Sequence, residues 1–358
     1  MDKKINLLAP INELGYGIAG KNIAKALHEY GYDVSLFVIG QPNFSSQEEA
    51  DYFSGMLKAA KFFDNKAPCL KVWHEFSMAE RVGNGRFIGF PFFELDKFDD
   101  VRVHNLSSCD DIIVASQWAK EIVEKEVEGS KVHIAHLGVD RNIFKNIDNA
   151  TGCPPSEKLI FFNCGKWEKR KGHDIILPLF QYAFPEESNV ELWMMCENPF
   201  LSPENSRAWV SSYSSDPRVR LIPRVRTQKE LAGIMSNVHC GLFPSRAEGW
   251  NLEIPELMSM GKHIIATNYS AHKEYCNSKN SILIDIKKKE PAVDNIWFHG
   301  EGEWASLEGT EELIVDSMKS IYNRFINGKF EINAEGIKTA EEFSWTKTAT
   351  MIDEVLNG

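Results

Sequence analysis

The segment from Val238 to Gly261 constrains the chain more than any other. Val238 to Phe243 is an apolar run of strand length. Pro244, Ser245 and Gly249 then break the pattern and predict a loop. After it, Leu252, Ile254, Leu257, Met258 and Met260 recur at roughly helical spacing. Pro255 suits a first helical turn, where its missing N–H leaves nothing unpaired, and Gly261 suits a helix C-terminus. Apolar runs of the same kind recur at 5–9, 34–39, 70–73, 112–116, 132–135, 159–163, 190–195, 219–222 and 263–267. Strands alternating with helical patterns predict an α/β protein.

Two acids stand in the Val238–Gly261 segment, Glu248 in the loop and Glu256 early in the helix. The start of a helix offers free N–H groups and suits phosphate. Carboxylates beside such a place repel phosphate and are better suited to gripping sugar hydroxyls. The plainer account is that acids in a first turn are favoured by the helix dipole alone.

The spacing Pro-Ser-x-x-Glu-Gly-x-x-Leu-x-x-x-Glu, with Glu248 and Glu256 as its acids, resembles the donor-site signature of retaining GT-B glycosyltransferases, and of glycosyltransferase family four above all. The resemblance implies Glu256 on the nucleotide ribose and Glu248 beside the donor sugar. It places Gly249, Trp250, Asn251 and Leu252 around the donor. The usual motif has Phe-Gly-Leu-Pro after Glu-Gly; this chain has Trp250-Asn251-Leu252-Glu253, which leaves the sugar preference open.

Further motifs follow in the family's order. Ile5–Ala9 leads to Gly15-x-Gly17-x-x-Gly20, expected as a glycine-rich loop, and Ile23, Ala26, Leu27 and Tyr30 continue on one helical face. A dinucleotide fingerprint would need an acid closing the second strand, and Gly40-Gln41 stands there instead. The resemblance puts Gly15 and Gly17 near the donor phosphates. It gives His74, at the end of a short strand, a role beside the donor sugar. Glu94 resembles an acid of the acceptor side; a solvated loop acid is the alternative. The adjacent Asp110 and Asp111 lack the Asp-x-Asp spacing of metal-dependent transferases and read as loop acids. His136-Leu137-Gly138-Val139-Asp140 resembles the hinge between the family's two domains.

After a linker rich in Asn, Pro and Gly at 142–157, the run Gly165-Lys166-Trp167-Glu168-Lys169-Arg170-Lys171-Gly172 puts a basic cluster behind a strand. Lys171 matches the family's phosphate-binding Lys, and Lys166 stands where Arg is usual. An ammonium still neutralises phosphate, without the bidentate fork of Arg. Arg218, Arg220, Arg224 and Arg226 alternate along a later strand and read as solvent-facing charges. Thr227-x-x-Glu230 is a capping box. Helices are expected over 309–327 and from Ser344 to the end.

The resemblance implies a GT-B fold, two Rossmann-like domains facing across a cleft. Residues 1–145 form the acceptor-side domain, 344–358 pack back on it, and 146–343 form the donor domain. The expected reaction is retaining, metal-independent transfer of a sugar from a UDP- or GDP-sugar. It needs no cofactor beyond that donor. The acceptor, whether glycan, lipid-linked sugar, protein or small molecule, is not specified. The alternatives are a nucleotide-sugar epimerase of the same fold and a non-catalytic nucleotide-sugar binding protein.

Composition narrows the partners. The net charge is −11, spread over both halves, so neither half is a basic module for nucleic acid or an anionic membrane. No apolar run reaches the length of a membrane span, and the apolar start of the chain is too short for a signal peptide. Seven scattered cysteines with no Cys-x-x-Cys pair point to free thiols in a reducing cytoplasm.

Overall fold

The computed structural model describes residues 3–146, 150–294 and 296–358. Residues 147–149 of the expected linker lie outside that set.

The first unit's first passage holds, in chain order, β1 (Lys4–Ala9), α1 (Gly15–Glu29), β2 (Asp33–Val38), α2 (Gln47–Ala59), β3 (Cys69–Trp73), β4 (Phe87–Pro91), α3 (Asp100–Ser107), β5 (Asp111–Val114), α4 (Gln117–Glu126) and β6 (Val132–Ile134). The second holds β7 (Leu159–Gly165), α5 (His173–Ala183), β8 (Val190–Cys196), α6 (Pro203–Tyr213), β9 (Val219–Leu221), α7 (Gln228–Ser236), β10 (Cys240–Phe243), α8 (Glu253–Ser259), β11 (His263–Thr267), β12 (Ile282–Ile284), the antiparallel hairpin β13 (Lys289–Val293) and β14 (His299–Ala305), α9 (Glu311–Ile326) and α10 (Ala334–Glu342). The last helix, α11 (Trp345–Asn357), belongs to the first unit. Compact packing divides the chain there: Gly138 ends the first passage through unit one, and Phe343 begins the return.

Each unit has a six-stranded parallel sheet. The orders are β2-β1-β3-β4-β5-β6 and β12-β11-β10-β7-β8-β9. In the first, the winding direction reverses between β1 and β3. In the second, it reverses between β7 and β10. Open α/β sheets hold ligands beyond the carboxyl ends of the strands at such a switch point. The segments after β1, β3, β7 and β10 are therefore where chemistry is expected.

The strands are apolar because both faces are covered. In the second unit Leu159, Phe161, Leu192, Leu242 and Ile265 pack with Ile176 and Phe180 of α5 and Ile314 and Met318 of α9. The return helix is held in the first unit at both ends. Thr348 Oγ1 donates to His136 O at 2.7 Å, and Asp353 accepts from Lys3 Nζ at 2.7 Å and Tyr32 OH at 2.6 Å. The capping box at α7 is formed in full: Thr227 Oγ1 accepts from Glu230 N, and Glu230 accepts from Thr227 N. Among the described residues no helix is long and apolar enough to cross a membrane, and all seven cysteines are free thiols.

Two local expectations are corrected. Gly15, Gly17 and Gly20 are not a loop; they form the first turns of α1. A Cβ at Gly17 would meet Asn12 Oδ1 at 2.2 Å, and one at Gly20 would meet Pro10 O at the same distance. Glycine here lets the helix close onto residues 10–12, which is a packing need and not a need for loop geometry. Asp111 is not a loop acid. It is a buried β5 residue that accepts from Arg86 Nε at 2.6 Å, with His133 Nε2 at 2.9 Å. Of the four arginines read as solvent-facing, Arg220 and Arg226 are exposed and Arg218 and Arg224 half-buried; Arg218 pairs with Asp216 and Arg220 with Glu191.

Candidate functional site

At the switch point of the second sheet, the segment after β7 and the segment after β10 are locked together by charge. Gly172 adopts φ +76°, and a Cβ on it would meet Pro244 O at 2.4 Å. Only glycine lets the two segments approach so closely. Arg246 then spans them. Its Nη1 and Nη2 each donate to the Asp174 carboxylate at 2.8 Å, its Nε donates to Glu290 Oε1 at 2.8 Å, and its N–H donates to Arg170 O at 2.6 Å.

Glu248 lies at the centre of this lock and is 4% exposed. Its Oε1 accepts from Lys171 Nζ at 2.8 Å and from Ser245 Oγ at 2.9 Å; its Oε2 accepts from Arg170 Nη1 at 2.7 Å. Arg170 turns its other side to Glu168, donating from Nη2 at 2.7 Å and Nε at 3.1 Å. Lys166 Nζ completes the row, 3.0 Å from Glu168 Oε1. Burial opposes the charge on Glu248, but Arg170 and Lys171 outweigh it and hold the carboxyl well below the usual range. Burial likewise opposes the charge on Lys171, and Glu248 outweighs that. Charges this deeply buried persist only when paired and hydrogen-bonded.

The loop between the two acids is fixed from behind. Asn251 has φ +76°, a conformation that favours Gly and tolerates Asn. It stands where the resembling motif has Gly, so the departure keeps the same backbone. Its Nδ2 donates to His272 Nε2 at 3.1 Å, since Nδ1–H of that ring donates to Thr267 O at 3.1 Å. Burial lowers the His272 pKa to about 4, which keeps this neutral tautomer. Asn251 Oδ1 is buried and has no hydrogen-bond partner among the described residues. Gly249 and Trp250 are buried, and Tyr275 OH donates to Trp250 O. Leu252 is half-buried immediately before α8.

Glu256 projects from α8, 5% exposed, with no side-chain hydrogen bond or ion pair among the described residues. Burial, with Glu253 adding to it, pushes its pKa well above the usual range. Glu253, which replaces the motif's Pro, is also raised by burial; Lys171 pulls it down and Glu248 pushes it up. A buried carboxyl and a buried amide oxygen left without partners are where ligand hydroxyls would complete the hydrogen bonding.

In the first unit, the switch point brings α1 against the end of β3. Tyr16, carried between Gly15 and Gly17, donates from its hydroxyl to Phe92 O at 2.5 Å and lies 3.1 Å from His74 Nδ1. The His74 ring is stacked on Phe76 at 4.9 Å and packed against Tyr16 at 4.4 Å. Glu94 is half-buried after β4. Its charge adds to the burial that raises Glu75 to about 7 against the pull of Arg102, whose Nε donates to Glu75 at 2.9 Å.

The structure thus joins Lys171 directly to Glu248, and Lys166 to both through Glu168 and Arg170. His74 meets the glycine-flanked Tyr16. Sequence reasoning missed Arg170, Glu168, Tyr16 and Glu75. Arg170 was visible as the middle of a Lys-Arg-Lys run, but nothing in the sequence says that it turns inward together with Lys171. Among the described residues no group of three or more His, Cys, Asp and Glu is arranged to hold a metal ion.

Comparison with known proteins bears on both units. The family described as Glycosyl transferases group 1 matches residues 157–297. No curated protein matches the chain by sequence. Several solved structures share its whole length. Sucrose-phosphate synthase from Thermosynechococcus elongatus superposes with a TM-score of 0.72 at 14% identity, covering 99% of this chain and 98% of that one. A glycosyltransferase from Rickettsia africae gives 0.68 at 12% identity, covering 99% and 98%. Anabaena HepE in complex with UDP-glucose gives 0.67 at 13% identity, covering 99% of each. The chain therefore has the GT-B fold, and the stretch that matches the group 1 glycosyltransferases, residues 157–297, carries the Glu248–Lys171 lock.

Proposed function

We propose that the protein is a retaining glycosyltransferase that moves a sugar from a nucleotide-sugar to an acceptor hydroxyl without a metal ion. The observation that carries this reading is the row Lys166–Glu168–Arg170–Glu248–Lys171, buried except at the half-exposed Lys166, at the switch point of the second sheet. It sets ammonium groups beside a carboxylate where a sugar diphosphate needs both. HepE, whose structure contains UDP-glucose, supports a UDP-sugar as the donor class.

In this reading Lys166 and Lys171 take the diphosphate, Glu256 takes the ribose hydroxyls, and Glu248 lies beside the transferred sugar. Gly249, Trp250, Asn251 and Leu252 shape the donor pocket. In the first unit, His74 and the Gly15–Gly17 turn serve the donor, and Glu94 serves the acceptor. During transfer the bond from the sugar's C1 to the phosphate oxygen breaks, and its electron pair leaves with the diphosphate. The acceptor oxygen attacks the face the diphosphate leaves, and its proton passes to that departing oxygen. Fixed cations stabilise the charge that develops on the leaving group, on the order of 3 kcal/mol each. Seven free thiols support a reducing compartment, the cytoplasm.

The test is incubation with a panel of UDP- and GDP-sugars and candidate acceptors in excess EDTA. The expected result is release of nucleoside diphosphate and a product that keeps the anomeric configuration. Inversion, or activity only after manganese is added, overturns the mechanism.

A further inference from the structure

Phe200 and Trp297 are large rings left in the open, 52% and 41% exposed. They lie edge to face, with centroids 5.1 Å apart at 81°. Lys166 Nζ is 5.7 Å from the centroid of each ring. One lysine thus touches both an aromatic pair and, through Glu168, the buried ion row.

The exposure is built in. Asn198 is buried; its Nδ2 donates to Trp167 O at 2.9 Å, and its Oδ1 accepts from Phe200 N at 3.0 Å. That bond pair ties the segment after β8 to the segment after β7. On the hairpin, Asp294 Oδ1 accepts from Ile296 N, Trp297 N and Phe298 N at 2.8, 2.8 and 3.0 Å. Phe298 turns inward against Trp304 at 5.3 Å, which leaves Trp297 facing outward. The hairpin is anchored by Glu290, which accepts from Arg246 Nε at 2.8 Å. Holding two apolar rings in water is unfavourable, so a fixed arrangement that does so at the ligand-binding end of the sheet implies something that covers them.

Position selects the occupant. Across adjacent strands the sheet presents the acid Glu248 after β10, the cations Lys166 and Lys171 after β7, and the ring Phe200 after β8. A nucleotide-sugar reads sugar, diphosphate, base in the same direction. We infer that Phe200 and Trp297 form a stacking shelf for the nucleobase of the donor, with Lys166 between the shelf and the diphosphate. This rests on the nucleotide-sugar reading of the same unit and adds the residues that hold the base. Stacking on a ring suits any base, because every base has a π-face.

The experiment is calorimetric titration of the full chain with UDP, GDP and inorganic pyrophosphate. The proteins compared are the unaltered chain, a Phe200→Ala/Trp297→Ala double variant, Trp297→Phe, and Lys171→Ala. The double variant should lose roughly 10- to 100-fold in affinity for both nucleotides and keep its affinity for pyrophosphate. Trp297→Phe should retain most of the nucleotide affinity, and Lys171→Ala should weaken all three ligands. Unchanged nucleotide affinity in the double variant, with Lys171→Ala weakened, overturns the shelf and leaves the donor site standing. Nucleotide binding indifferent to Lys171→Ala overturns the donor site instead. Because both rings are exposed, the thermal midpoint of the double variant should match that of the unaltered chain.

Discussion

Glu248 and Lys171 meet at 2.8 Å although 77 residues separate them in the chain. The contact joins the two strands at which the second sheet reverses direction, so one ion pair marks both the fold and the proposed chemistry. In the proposed mechanism Lys171 is therefore already paired when a diphosphate arrives. The phosphate and Glu248 would then share one ammonium, with Arg170 keeping the carboxylate neutralised.

Lys171→Ala should slow transfer by about 10²-fold or more, because a fixed cation beside the leaving group acts mainly on the transition state. Arg170 still holds Glu248, so the variant should stay folded. Single-turnover rates beside a thermal melt separate the two effects. Unchanged rates would remove Lys171 from the phosphate site.

The two glutamates should divide binding from chemistry. Glu256 on a ribose holds substrate and transition state alike, so Glu256→Gln should mainly raise KM. Glu248 beside the reacting sugar meets positive charge that develops only during transfer, so Glu248→Gln should mainly lower kcat. Titration with nucleoside diphosphate alongside kcat decides it. Loss of nucleotide affinity in Glu248→Gln but not in Glu256→Gln would reverse the roles.

Asn251 should accept Gly better than Ala. Its φ of +76° suits Gly, whereas Ala there is strained by roughly 1–2 kcal/mol. Both changes lose the bond to His272, so the difference between them isolates the backbone. Urea unfolding should place Asn251→Ala about 1 kcal/mol below Asn251→Gly. Equal stabilities would mean that the loop relaxes to another conformation.

Acid should destabilise the second unit before the carboxylates matter. Burial, with Lys262 and His263 adding to it, lowers His239 from 6.5 to about 4, and its Nδ1 accepts from Ile160 N at 3.1 Å. A folded pKa below the unfolded one gives stability that is full above pH 6.5. That stability is lost as pH falls towards 4, at most roughly 3 kcal/mol. His173, lowered to about 3, and His272, lowered to about 4, act in the same direction. His239→Asn keeps an acceptor and cannot take up the proton. Its unfolding free energy should fall less steeply between pH 6.5 and 4, and an unchanged slope would exclude His239.

Much of the second unit could be read directly. The Val238–Gly261 pattern carries β10, α8 and the positive-φ cap at Gly261, because apolar periodicity and special backbone positions are written locally. His263–Thr267 is β11 residue for residue. The partners inside the site were less legible. Lys169, Arg170 and Lys171 are alike in sequence, and only the 3D turn before Gly172 decides that Arg170 faces Glu168 and Glu248. In α1, three glycines looked like a loop because close approach to Asn12 and Pro10 leaves no local signature. The β13–β14 hairpin was missed altogether. Its first strand, Lys289–Val293, is charged and holds a Pro, and it is held by Glu290 and by its partner strand, not by an apolar stripe.

The route of the chain has a consequence for synthesis. α11 supplies Asp353 to Lys3 and Tyr32, and Val355 O to Arg86 Nη1 at 2.6 Å, so unit one draws on chain from both before and after unit two. Emerging from a ribosome, its six strands must wait, without that helix, until all of unit two has been made. The second unit has no such dependence and can close first. Unit one, begun before unit two, is therefore finished after it, and the interval is when chaperones would have most to hold.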